Sequence, residues 1–318
     1  MYYNYWNAFI DEWRNNYTSI NCQSCEKGIL GWTNPNSIPL FNNQTYNDLS
    51  IHYLPEPYWG NTGYNPLEVV MINYNPSEAY LMQSHKHVTF EPNYLSYTFY
   101  KNFVFAEAMK FETNQQQCFN LTNAWHWRNR TKPILDALGV MYEDKSKPLV
   151  NYLGIELIPW HTVNFGTNES KYMYDNLHNV YKRSILFAAN ESTRIKNDRL
   201  VNTVIVRATS RLSKRPSSRP SNNFRELLIH LNDREVIDNF STVPLRQPQL
   251  AQYHADGDCY SIIGISTNHF FQVFEIDDIN ARFFPSEPNG KIRFLCIWQQ
   301  GSNNLPNSNI LSQIFNCF

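Results

Sequence analysis

The chain has no run of about 18 or more consecutive apolar residues, which excludes an ordinary membrane-spanning helix. Residues 1–14 carry Asp11 and Glu12 and lack the basic-then-apolar layout of a secretory leader, so a cytoplasmic location with no membrane partner is expected. Charge is scarce. Only 17% of residues are charged and the formal net charge is −1, which argues against a protein that coats nucleic acid indiscriminately. The six cysteines are scattered through 318 residues and do not resemble the dense framework of a small secreted domain, so reduced thiols are expected. Internal repeats, a G-x-S-x-G elbow and a P-loop are all absent.

What is present is a composition 42% hydrophobic, enough to bury a sizeable core, and a surface dominated by neutral polar groups. Residues 3–14 place Tyr5, Trp6, Phe9, Ile10 and Trp13 at helical spacing, and residues 34–65 are Asn- and Pro-rich without a period, which predicts loop. Four short apolar runs follow, at 68–72, 152–158, 201–206 and 292–298, each stopping at polar or aromatic residues. Helices are predicted over 97–111, over 131–139 behind Thr131 and Pro133, and over 174–189. Strand-like runs alternating with helices predict an α/β fold around a mostly parallel four-stranded sheet covered on both faces. The chemistry then belongs beyond the carboxyl ends of the strands. The segment 213–290 holds a Ser/Pro/Arg linker, a helical stretch at 224–231 and apolar stretches at 262–265 and 270–274. It reads as an insertion before the last strand of a single domain spanning 1–318; a separate small domain is the alternative.

Three sites along the chain carry recognisable patterns. Residues 54–61 (LPEPYWGN) lead into the first run and the turn Asn73-Tyr74-Asn75-Pro76-Ser77; residues 154–162 (GIELIPWHT) end in a Pro-Trp-His-Thr turn; residues 292–309 follow a strand with a polar loop. Together they resemble the uracil-DNA glycosylase superfamily, in particular a bacterial subgroup with a P-E-P-x-x-G-N lead-in. The resemblance covers roughly residues 50–80, 150–165, 200–212 and 290–312, leaving the insertion outside. It implies a three-layer α/β/α fold, hydrolysis of an N-glycosidic bond in DNA without a cofactor, and a monomeric enzyme. In that family a cysteine pair such as Cys22 and Cys25 can form half of an iron–sulfur site. No suitably placed second pair exists here, so two ordinary thiols and no metal are expected.

The resemblance also assigns roles. Base removal builds positive charge on the deoxyribose and negative charge on the departing base, so a held water and a stabilised leaving group are needed. Asn75 falls at the water-positioning place, with Pro76 fixing the turn. The family's last motif carries a histidine that stabilises the base anion, whereas residues 299–308 (QQGSNNLPNS) contain none. Glu56, among Tyr53, Tyr58 and Trp59, is therefore a candidate acid for a poorly leaving base, with capping of a turn as its bland alternative. His161 is a candidate for contact with base or phosphate. Tyr74, Tyr80 and Trp160 are candidates for stacking on a flipped base, although each is equally at home in a core.

Residues 182–219 hold ten basic side chains against Glu191 and Asp198, a local charge of +8 that suits a polyanion. DNA contacts are accordingly expected at Arg207, Arg211, Lys214 and Arg215, with Ser302 and Asn303 pinching phosphates and Leu305 wedging into the base stack. The missing histidine and the altered second turn point away from plain uracil, towards a modified base such as glucosylated hydroxymethylcytosine of phage DNA. Repair of uracil or a damaged pyrimidine, and a catalytically silent binder of modified DNA, remain open.

Overall fold

The computed structural model describes residues 49–50, 58–60, 66–73, 132–140, 152–157, 161–162, 178–207, most of 224–231, 240–255, 258–265, 268–276, 291–299 and 305–317. Its strands are β1 (Leu49–Ser50), β2 (Tyr58–Gly60), β3 (Val69–Asn73), β4 (Tyr152–Glu156), β5 (His161–Thr162), β6 (Thr203–Arg207), β7 (Phe240–Thr242), β8 (Ala251–His254), β9 (Cys259–Ile262), β10 (His269–Ile276) and β11 (Ile292–Gln299). The helices are α1 (Lys132–Leu138), α2 (His178–Ser192) and α3 (Ser308–Cys317).

The four apolar runs become β3, β4, β6 and β11, adjacent and mutually parallel in the order β4-β3-β6-β11. All five residues of β3, β4 and β6 are buried. That is why their sequences are continuous rather than alternating: a parallel strand buried on both faces has no polar side to show. Helix α2 connects β4 to β6 and packs against β3, β4 and β6. Its Ser184 hydroxyl donates to the carbonyls of Glu156 and Leu157 at 3.1 and 3.3 Å, fixing the end of β4. Helix α1 ends as its sequence requires. Gly139 takes φ +70°, and the amides of Gly139 and Val140 return to the carbonyls of Asp136 and Leu135, a left-handed cap that glycine adopts without a Cβ penalty.

Two expectations need correction. The sheet is parallel only at its centre. β2 joins β4 antiparallel on one side, and β10, β9, β8 and β7 extend the other side antiparallel to a total of nine strands. The insertion thus supplies strands to the same sheet, because the long apolar edge of β11 takes β10 as partner over eight register pairs. The insertion also shares the core: Phe224 is fully buried with its ring 5.3 Å from that of Phe294 in β11. Helix α3 is the second difference. Ser308 and Asn309, expected in the loop after the last strand, instead open a ten-residue helix capped by Asn307, whose Oδ1 accepts from the amide of Ile310 at 3.1 Å. Helix α3 packs against α1 through Ile310, Leu311, Ile314 and Phe315.

Among the described residues no helix is long and apolar enough to cross a membrane. Cys259, Cys296 and Cys317 are buried, and burial pushes the thiols of Cys296 and Cys317 above the usual thiol range, which makes these two inert packing residues. The segments 3–14 and 97–111, and Cys22, Cys25 and Cys118, lie outside the described residues.

Candidate active site

Three adjacent parallel strands end in buried polar residues: Asn73 on β3, Glu156 on β4 and Arg207 on β6. Asn73 and Glu156 are register partners, and the Asn73 amide donates from Nδ2 to Glu156 Oε1 at 3.2 Å. β3 pairs with β6 up to Ile72 and Val206, so the next positions, Asn73 and Arg207, lie side by side about 4.8 Å apart across the ladder. Register partners on parallel strands point to the same face, so an acid, an amide and a cation share one face at the carboxyl edge of the sheet. Burying such groups is costly unless they satisfy one another, and the Asn73–Glu156 bond is one such contact. Asn73 Oδ1 accepts no hydrogen bond among the described residues.

This place is also where the strand order reverses. The chain leaves β3 towards β4 on one side and leaves β6 towards β11 on the other, so the ends of β3 and β6 flank the topological switch point at which open α/β sheets generally bind ligands. The motif residues Tyr74-Asn75-Pro76-Ser77 follow Asn73 in the sequence. The ends of β3 and β4 are tied at this edge, because the Leu157 amide donates to the Asn73 carbonyl at 2.8 Å. β2 is antiparallel to β4 with Tyr58 opposite Ile155, so the chain enters β2 from this same carboxyl edge. β5 pairs with β1, setting the His161 backbone opposite Ser50.

Of the residues singled out from sequence, Glu56, Tyr74, Asn75, Pro76, Tyr80, Trp160, Arg211, Lys214, Arg215, Ser302 and Asn303 lie outside the described residues, and His161 is described in its backbone alone. Two others are described with their side chains. Arg207 is only 5% exposed at the end of β6, where it joins the polar cluster. Leu305 is packed in the main core with Ile310 and Leu311 at the start of α3.

The described basic residues of the segment 182–207 point to different parts of the sheet. Arg194 pairs with Glu191 within α2 and the turn that follows it. The Lys196 amide bonds to the Leu67 carbonyl just before β3, which puts Lys196 and its exposed neighbour Arg199 at the amino edge of the sheet, opposite the polar cluster. Sequence reasoning missed Asn73 and Glu156 as a pair. The one local signal is Glu156 itself, a carboxylate inside the otherwise apolar run YLGIELI.

Comparison with protein-family models, with curated proteins and with solved structures gives no match.

Proposed function

We propose that the protein is a monofunctional DNA glycosylase that flips a modified pyrimidine out of DNA and hydrolyses its N-glycosidic bond, with glucosylated hydroxymethylcytosine of phage DNA as the favoured base. One observation carries this reading. The first two segments that resemble the superfamily include neighbouring parallel strands, β3 and β4, whose last described residues, Asn73 and Leu157, are joined by a backbone hydrogen bond at a strand-order reversal. A three-layer arrangement about β4-β3-β6-β11 is the fold that goes with it.

In this reading Asn75 orients a water towards C1′. As the oxygen bonds to C1′, the bond from C1′ to the base breaks, its electron pair leaves with the base, and Glu56 donates a proton to the leaving group; the attacking water releases a proton to solvent, from which the Glu56 carboxylate is reprotonated. An amide orients water without strongly deprotonating it, so catalysis leans on leaving-group protonation and on stabilising the charged sugar. Tyr74, Pro76, Tyr80, Trp160 and His161 form the pocket around the base. Arg211, Lys214, Arg215, Ser302 and Asn303 hold phosphates. The Asn73–Glu156–Arg207 cluster is the buried footing on which the first two turns stand. Such an enzyme acts inside the cell, as a monomer, in antiviral defence.

The test is a substrate panel: phage genomic DNA with and without glucosylated cytosine, and a uracil-containing duplex, each incubated with protein and then cleaved with alkali at abasic sites. Breaks in glucosylated DNA alone are expected. Breaks in the uracil duplex alone would make the protein a repair glycosylase, and binding without breaks would make it a silent reader of modified DNA.

A further inference from the structure

The polar line at the carboxyl edge continues into the insertion. On β11, Ile297 pairs with Arg207 on one side and with Phe271 of β10 on the other, so Ile297 and Phe271 share the face of Arg207, Asn73 and Glu156. Two residues further towards that edge, and therefore on the same face, β11 ends in Gln299 opposite His269, the first residue of β10. Both side chains are half-buried, and the Nδ1 of His269 is enclosed without a hydrogen-bond partner among the described residues. Next along this face comes Tyr260, opposite Phe271 on β9 with its ring 5.8 Å away. Beyond it is Tyr253, 51% exposed, whose hydroxyl donates to Asp258 at 3.0 Å.

From β3 to β10 there are three inter-strand steps of about 4.8 Å, about 14 Å in all. That exceeds the width of a bare pyrimidine ring and suits a pyrimidine carrying a hexose. An imidazole and a carboxamide offer donors and acceptors together, and flanking tyrosine rings offer flat apolar faces, the combination that matches a sugar's hydroxyls and its C–H faces.

We infer that His269 and Gln299 hydrogen-bond a hydroxylated substituent on the flipped base, so that β10 of the insertion is the specificity element of the site. This rests on the base-excision reading for the pocket but concerns a different event, recognition of the substituent. Neither residue moves a proton to or from the reacting bond; both are specificity residues.

The experiment measures affinity and base release separately for duplexes of one sequence holding either hydroxymethylcytosine or its glucosylated form. The wild type is expected to prefer the glucosylated duplex, and His269→Ala to lose about tenfold of that preference, as for one hydrogen bond, without weaker binding of the unglucosylated duplex. Gln299→Ala should do the same, and it serves if His269→Ala fails to fold. His269→Asn, which keeps a donor and an acceptor, should recover part of the preference. Equal wild-type affinity for the two duplexes, or a preference that survives both substitutions, overturns the inference. A preference that depends on His269 with no base released from either duplex would instead overturn the excision reading and leave the recognition role standing.

Discussion

A single carboxylate shows how the sheet manages charge. Glu275 of β10 is buried, which alone would raise its pKa, but hydrogen bonds from Lys291 at 2.8 Å and Arg293 at 3.1 Å outweigh burial and hold it below the usual carboxylate range. A depressed carboxylate contributes stability above its ordinary pKa and loses it as the pH falls through the lowered folded value. Glu275→Gln should therefore lower the urea midpoint at pH 7, with the gap to wild type closing in acid as the pH falls from the ordinary carboxylate range through the lowered folded value. A gap of equal size at pH 7 and in acid would show that the two bases contribute nothing through its charge. At this scale the sequence is legible only in part. Asn75 stands out because a turn motif is local. The Asn73–Glu156 pair does not, because its members are 83 residues apart and meet only through the register of β3 on β4.

At the scale of elements, the central strands and α1, α2 follow from apolar periodicity and start signals that are local to each segment. Predicted 131–139 and 174–189 correspond to the described helices Lys132–Leu138 and His178–Ser192. What local pattern could not reveal was the partner of each edge. The stretches at 262–265 and 270–274 read as apolar patches, and only pairing along β11 turns the second into part of an eight-residue strand. Helix α3 differs in kind: its Asn307 cap and the pattern of Ile310, Leu311, Ile314 and Phe315 are a sound local helix signal, and only Ser308 and Asn309 fell within the loop that the resemblance implied. The insertion's own helical stretch makes a firm prediction. Phe224→Ala should cost about 3–5 kcal/mol, since it empties a fully buried site against Phe294. A double-mutant cycle of Phe224→Ala with Phe294→Ala, read by chemical denaturation, should be non-additive. Strict additivity would mean that the two rings do not support one another and that the insertion stands apart from the core.

Taken whole, the molecule is a parallel α/β centre whose last strand is widened by its own insertion. The parallel centre brings Asn73, Glu156 and Arg207 to one edge, and the widened flank brings His269 and Gln299 to the same edge and face. Composition could foresee the first half, because continuous apolar runs between helices have few other solutions. It could not foresee the second, since segment 213–290 carries no periodicity that names its neighbour. Nor could the charge count locate the basic residues: Lys196, Arg199 and Arg207 are adjacent in sequence yet lie at opposite edges of the sheet, because β6 runs between them. The measurement closest to the central claim is the product itself. Glucosylated phage DNA is incubated with protein in single turnover, and the small-molecule fraction is analysed by mass spectrometry. Free glucosyl-hydroxymethylcytosine base should appear in step with abasic sites, and Asn75→Ala should slow its release at least about a hundredfold while leaving DNA binding intact. Release of nucleotides in place of free base, or unchanged release from the Asn75→Ala protein, would contradict the account.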